Sequence, residues 1–311
     1  IVHAESRIWD GTLQYPDGQW KTWIAVKQQD LENEQKEVPE SGEEAVETGE
    51  VIYPFVAYGS PKRPEAKTIL IKNATLWTNE DEGIIEDAQL LIHQGKIAAL
   101  GKRVDLAAVF GKNIPEIEVI DAKGKHVTPG IIDEHSHIAI TRGVNEGTQA
   151  SSAEVSIQHS VGSEDINIYR QLSGGVTCSQ LLHGSANPIG GQSAIIKLKW
   201  GASPDEMVLW DAAPFIKFAL GENVKQSNWG DAQTERFPQT RMGVEQVFYD
   251  EFIRAREYEL AWKNYNNELK LLSRRQLKKE GLPPAPRKDL ELDVLLQILN
   301  GERFITCHSY R

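Results

Sequence analysis

Pro129-Gly130-Ile131-Ile132-Asp133-Glu134-His135-Ser136-His137 runs from a proline–glycine break through an apolar strand into two histidines. In a strand, residues i and i+2 point to the same face, so His135 and His137 can converge on one ion. Imidazole is a borderline ligand that suits zinc and similar metals. A bare pair at this spacing is a weak signal, and two histidines on a strand face are also ordinary surface or core residues. What lies on either side of the pair therefore matters.

Upstream, the sequence reads as short strands at 68–71, 74–77, 88–92, 96–100 and 119–122. Gln94-Gly95 is a hairpin signal and Lys123-Gly124-Lys125 a turn, which predicts a small antiparallel β module. Residues 1–29 hold strand-like pieces with Trp9, Tyr15, Trp20 and Trp23, and Asp17-Gly18 reads as a hairpin turn. The stretch 28–50 is acidic and too poor in apolar side chains to build a core, so it reads as a linker. PFVAYG at 54–59 restarts ordered structure, punctuated by Pro61 and Pro64.

Downstream of Val127, apolar runs alternate with longer helical or polar stretches, as in repeating β/α units. Strands are expected at 127–133, 176–182, 193–198, 215–220 and 303–307. Between the last two, Val244, Val247, Phe248, Phe252, Ala255 and Trp262 fall on one helical stripe. They predict one long amphipathic helix, ended by Gly281, Pro283, Pro284 and Pro286, with the charged run of 254–280 as its solvated face. A second helix over about 290–299 stops at Asn300-Gly301, a suitable left-handed cap.

The chain has 311 residues, enough for one large domain and a smaller one. Charged residues make up 25% and hydrophobic residues 40%, the composition of a soluble globular protein. A net charge of −11 argues against nucleic-acid binding, which shows as a basic patch. No apolar run approaches the roughly 18 residues of a membrane span. The chain opens Ile1-Val2-His3-Ala4-Glu5, with no initiator Met and no basic-then-apolar signal segment, and reads as a processed chain or a fragment. Cys178 and Cys307 sit in apolar, strand-like runs and are expected to be buried free thiols rather than a disulfide. They do not decide the compartment.

With these pieces in order, residues 123–137 resemble the opening of the amidohydrolase superfamily, whose first barrel strand is an apolar, PG-led run ending in two histidines spaced by two. The β module before it is similar to that family's β-sandwich, which is split between the two ends of the chain. Ser173-Gly174-Gly175-Val176-Thr177 resembles the family's entry to the second strand. Gly184-Ser185-Ala186-Asn187-Pro188-Ile189-Gly190-Gly191-Gln192 resembles a loop of imidazolonepropionase-like members. Phe215-Ile216-Lys217 resembles the fourth strand of prolidase-like members, where a carboxylated lysine bridges two metals, and Cys307-His308 resembles the fifth-strand histidine. The resemblance covers about residues 65–311, and the order of its pieces is more specific than any one of them.

The resemblance implies an α/β fold: a partial TIM (β/α)8 barrel of the metal-dependent hydrolase type, preceded by a small composite β-sandwich domain. It divides the chain into a β-rich segment with its acidic linker at 1–60, which would be the tail of an upstream domain, a β-sandwich part at 65–126 and a first half-barrel at 127–311. A barrel of this kind takes about 250 residues, so strands six to eight and the catalytic aspartate of the eighth are expected beyond Arg311, in a chain that is a fragment. Asp133 and Glu134 precede the first histidine and do not replace that aspartate.

The implied metal ligands are His135, His137, His308 and Lys217, the last as a carboxylated bridge. They would hold one or two divalent ions, zinc first, that activate a water. Lys217 lies among Phe215, Ile216, Phe218 and Ala219, a dry setting that lowers a lysine pKa; the alternative is a lysine snorkelling from the strand end. His183, Asn187, Gln192, Glu222 and Asn223 are candidate substrate contacts, and Thr240-Arg241-Met242 is a further candidate at the rim. The alternatives are a structural role for His183 and a tight turn at Glu222-Asn223. His3, His93, His126 and His159 read as structural. The implied activity is hydrolysis of a carbon–nitrogen bond in a non-peptide amide or cyclic amide, with a prolidase-like dipeptidase or a non-catalytic binding protein of the same fold as alternatives. Partners would be small molecules and a second copy of the chain, with no nucleic acid and no membrane span.

Overall fold

The computed structural model describes residues 8–14, 19–26, 65–226 and 236–309. The chain divides into two units, 1–50 and 51–311. In the first, β1 (Ile8–Gln14) and β2 (Trp20–Val26) pair antiparallel, from Ile8 opposite Val26 to Gln14 opposite Trp20. The Asp17-Gly18 turn, the acidic stretch, PFVAYG and its flanking prolines lie outside the described residues.

The second unit begins with β3 (Ile69–Trp77), β4 (Ile84–His93), β5 (Lys96–Gly101) and β6 (Glu118–Asp121), ordered β5-β4-β3-β6, with β7 (His126–Val127) beside β3. The runs expected at 68–71 and 74–77 are one strand. Asn73 takes a φ of 54° and the register shifts between Ile71 and Ala74, so the chain bulges there instead of turning. Gln94 and Gly95 are both left-handed, as the tightest hairpin turn requires. The module is not purely antiparallel as expected, because β6 and β7 run parallel to β3. Parallel neighbours need a crossover, and α1 (Leu106–Phe110), capped by Asp105, lies in the connection from β5 to β6. Ala74, Leu76, Ala88, Leu90 and Ala122 form the core of this sheet.

The strand expected at 127–133 is divided. Val127 stays with the first sheet, and β8 (Ile131–Ser136) opens the next one after Pro129-Gly130. A Cβ on Gly130 would strike the Thr177 side chain, so glycine allows β8 to start against β9 (Val176–Leu181). β8 and β9 are parallel, and β11 (Ala194–Lys197) pairs antiparallel with the other edge of β9. In a third sheet, β12 (Phe215–Leu220) pairs parallel with β13 (Phe304–Ser309) and antiparallel with β10 (Ile189–Gln192). Only Ser193 separates β10 from β11, and its N–H donates to Phe215 O. Residues 189–197 are thus one run that serves β12 with its first half and β9 with its second, tying the two sheets together.

Helices cover one face of each of these sheets. Ile168 of α2 (Ile166–Ser173) and Met207 of α3 (Pro204–Met207) pack with Leu181 and Ile196. Val247 and Ala255 of α4 (Arg241–Leu271) and Leu292 and Leu295 of α6 (Leu290–Leu299) pack with Ile216 and Phe218. The single long helix expected here is two. Ser273 and Gln276 form a capping box that starts α5 (Arg274–Glu280) just after α4 ends. α6 has the expected bounds, and Gly301 is left-handed. Both cysteines are free as expected, but neither is fully buried: Cys178 is half-buried and Cys307 exposed. Among the described residues no helix is long and apolar enough to cross a membrane.

Leu295 is fully buried in the cluster that seats α6. Leu295→Ala is expected to lower unfolding free energy by about 2–5 kcal/mol, read from the urea midpoint. A loss under about 1 kcal/mol would contradict this packing.

Candidate functional site

Side-chain alternation along β12 and β13 sets the site. Ile216 and Phe218 belong to the helix-covered cluster, so Phe215 and Lys217 point the other way. Lys217 sits beside Thr306 in register, and the Phe215 and Phe304 rings meet one layer away at 5.3 Å. From β8, His135 Nε2 comes within 3.2 Å of Lys217 Nζ. The His135 ring lies 5.5 Å from that of His137 and 5.6 Å from that of His308, edge-on to both. The four residues expected to bind metal are thus gathered from three strands that are far apart in sequence.

Lys217 has no exposed surface, and among the described residues no carboxylate pairs with it. Burial pushes its amine below the ordinary lysine range, opposed by the Cys307 thiol. His135 is also held below the ordinary histidine range, first by burial and then by Lys217, His137 and His308. His308 shifts the same way, by burial first and then by Lys217 and His137.

Two of the rings are oriented by neighbouring groups. His137 Nδ1 lies 2.9 Å from Leu182 O; a carbonyl only accepts, so Nδ1 carries the hydrogen and the neutral ring keeps its lone pair at Nε2. His308 Nδ1 lies 2.7 Å from Ser185 Oγ. Such outer contacts orient histidines that bind metals. Among the described residues, no three His, Cys, Asp or Glu side chains already stand grouped around a common point for an ion. What His135 Nε2 faces in this arrangement is the Lys217 amine.

The residues proposed for substrate contact are placed differently. His183 is buried; its Nε2 accepts from Glu146 N–H (2.7 Å) and its Nδ1 donates to Gly184 O (2.8 Å), so both nitrogens are engaged with backbone. Burial, its largest influence, lowers its pKa. Asn187 Nδ2 donates to Glu146 O, Gln149 O and Ser152 Oγ. Gln192 Nε2 donates to Ala153 O and Glu154 O. The glycine-rich loop therefore holds the segment 144–155. A Cβ on Gly190 would come to 3.0 Å from both His183 Nδ1 and Lys217 O, so glycine is what fits between them.

Glu222 pairs with Lys225 (2.6 Å) and Arg241 (2.5 Å), and those hydrogen bonds hold its carboxyl at about 2. It joins the end of β12 to the start of α4, with Asn223 beside it, and Arg241 of the 240–242 candidate is its partner. Of the remaining histidines, His126 accepts from Trp77 Nε1, His93 pairs with Thr68, His159 lies in a short 3-10 turn, and His3 is outside the described residues. Sequence reading missed Ser185 as the partner of His308 and missed Arg236 altogether. A lone arginine donating to carbonyls has no motif.

No family model matches the chain. It is similar to an amidohydrolase, tasK, of Hapsidospora irregularis, 30% identical over 280 residues that cover 78% of this chain and 27% of that protein. It is similar to the imidazolonepropionase of Geobacillus kaustophilus, 50% identical over 58 residues covering 19% of this chain and 14% of that one. The crystal structure of an amidohydrolase from Thermotoga maritima superimposes with a TM-score of 0.59 at 30% identity, over 78% of this chain and 58% of that one. The chain thus spans about a quarter or less of these two curated relatives.

His183 gives a pH dependence with a definite sign. Its folded pKa lies below its unfolded value of about 6.5, so the unfolded chain takes the proton first as pH falls. Its stabilising contribution is complete above pH ~6.5 and declines below that, as pH falls toward the folded pKa. In metal-free protein, His183→Gln should reduce the acid-side slope of unfolding free energy by up to ~1.4 kcal/mol per pH unit relative to wild type. Identical slopes would show that His183 is not buried neutral.

Proposed function

Since the chain belongs to the amidohydrolase superfamily, we propose that it carries the metal-binding half of a hydrolase acting on the carbon–nitrogen bond of a non-peptide or cyclic amide. In this reading 65–126 is the N-terminal part of a β-sandwich, 127–311 the first half of a (β/α)8 barrel, and 1–60 the tail of an upstream domain. The observation that carries it is His135 Nε2 set against a buried lysine that has no carboxylate partner among the described residues, with the rings of His137 and His308 flanking that of His135.

That donor set suits one or two divalent ions, zinc first. Imidazole is a preferred zinc ligand, and His137 is held in the tautomer that keeps Nε2 for an ion. When bound, such an ion lowers the pKa of a water and polarises a carbonyl oxygen. The chain supplies the rest of the setting. Leu182 O and Ser185 Oγ hold the rings of His137 and His308. Burial keeps the Lys217 amine toward its neutral form, which can attack carbon dioxide. As the nitrogen–carbon bond forms, one carbon–oxygen π bond of the carbon dioxide breaks and the amine loses a proton, so that the side chain would become an anionic carbamate able to donate oxygen to an ion. A prolidase-like dipeptidase is the second reading, favoured by this same lysine in a strand flanked by apolar residues.

Metal analysis of the full-length protein tests the site. Roughly one to two zinc equivalents per chain are expected, lost in the His135→Ala/His137→Ala double variant. Unchanged metal in that variant would sink the site. Lys217→Met should lower metal content and raise the melting temperature of metal-free protein, because it removes a buried unpaired amine. Ring opening of hydantoin against release of proline from Gly-Pro separates the two substrate readings.

A further inference from the structure

The segment 144–155 follows the two histidines and, apart from an isolated bridge at Ser151, has no strand or helix of its own. Its backbone groups must find partners elsewhere. His183, Asn187 and Gln192 satisfy part of it. Backbone bonds from Gly184 to Val144, Ile189 to Ala150, Ser152 to Ile189 and Gln192 to Val155 add to these, and a further clamp comes from Arg236, which is distant in sequence. Its Nη1 donates to Gly147 O (2.6 Å) and Gln149 O (2.9 Å), and its Nη2 to Ala186 O (2.8 Å) and Val224 O (3.4 Å). These oxygens belong to three loops: one after β8, one after β9 and one after β12. Two of these strands, β8 and β12, carry His135 and Lys217, and β9 pairs with β8.

The chemistry of this clamp is specific. A guanidinium is planar, presents five donors in a fixed fork and stays charged, so one group can bridge several carbonyls at set angles. A lysine ammonium is a point charge and cannot span the same set. The Arg236 backbone is itself anchored, since Gln239 Nε2 donates to Arg236 O and Gln226 N–H to Pro238 O. Glu146 and Thr148, held on the clamped loop, are exposed and hydrogen-bonded to each other.

We propose that Arg236 is a positioning residue: its guanidinium gathers the loops after β8, β9 and β12 into one wall beside the histidine–lysine cluster and fixes the 144–150 loop against which a substrate rests. The link to substrate rests on the hydrolase reading; the gathering of the loops does not.

Hydrogen exchange on the full-length protein tests it. Arg236→Ala should raise amide exchange about tenfold or more at 144–150, 184–188 and 222–226 together, while the β3–β4 sheet keeps its protection. Added ethylguanidinium, below denaturing concentration, should restore protection in all three loops, because it refills the cavity with the same fork. Arg236→Lys, the variant to use if the alanine form does not fold, should restore it only in part. Exchange that rises evenly through the chain, or in one loop alone, or that ethylguanidinium leaves unchanged, overturns the proposal. Zinc content measured in parallel separates the two readings. A wild-type protein that binds no metal yet loses loop protection in Arg236→Ala refutes the hydrolase reading and keeps the clamp.

Discussion

A lysine amine with no exposed surface, 3.2 Å from an imidazole nitrogen, is the constraint around which this chain is arranged. Burying an amine away from any carboxylate costs several kcal/mol in an apolar setting, roughly, unless the group gives up its charge. The surroundings do not repay that cost through an ion pair. Ile216 and Phe218 pack on one side of the strand, Phe215 and Phe304 close the layer beside it, and His135 stands opposite. Lys217 is buried in this setting, which disfavours its charged form. A chain selected for stability alone would place methionine there, so the arrangement is better understood through chemistry than through packing.

Much of this was legible in the sequence, and for a definite reason. The period-two alternation that puts His135 and His137 on one face is local, as is the apolar setting of Lys217 and the bounds of α6. Gln94-Gly95 and Gly301 also acted as read, because a left-handed backbone position has few residues that suit it. What was not legible depends on distant partners. The glycine-rich loop at 184–192 looked like a surface for substrate, yet its polar atoms meet the backbone of 144–155, which no local pattern reveals. The division at Val127 was hidden for the same reason: whether two residues extend β8 or join β3 is decided by which neighbour has an unpaired edge. The break at Ser273 had a local sign, the Ser-x-x-Gln box, which the continuing charged pattern masked.

The loops and the cluster divide the labour between them. Strands bring the nitrogen atoms together, and side chains from loops hold other loops. His183, Asn187, Gln192 and Arg236 each reach backbone atoms of a segment lacking regular structure, and together with a few backbone bonds they stand in for the ladder that a strand would have supplied. Placing the irregular segment on such a scaffold lets its exposed residues vary in sequence while its path stays fixed, a common division where binding residues sit on loops carried by a rigid frame.

The pairing of β12 with β13 has a consequence for how the chain reaches this state. Phe215 O and the Arg303 guanidinium that binds it are 88 residues apart, with three helices between them among the described residues. Closing so long a loop has an entropic cost that grows only slowly with length, so the connection itself is tolerable, but non-local pairing is slow to form. α4 and α6 can dock on β12 before β13 arrives, since their contacts with Ile216 and Phe218 do not require it. β13 can then join a β12 surface that the helices already cover. His308 travels with β13, so the long-range pairing of β13 with β12 is also what brings the third histidine to the cluster.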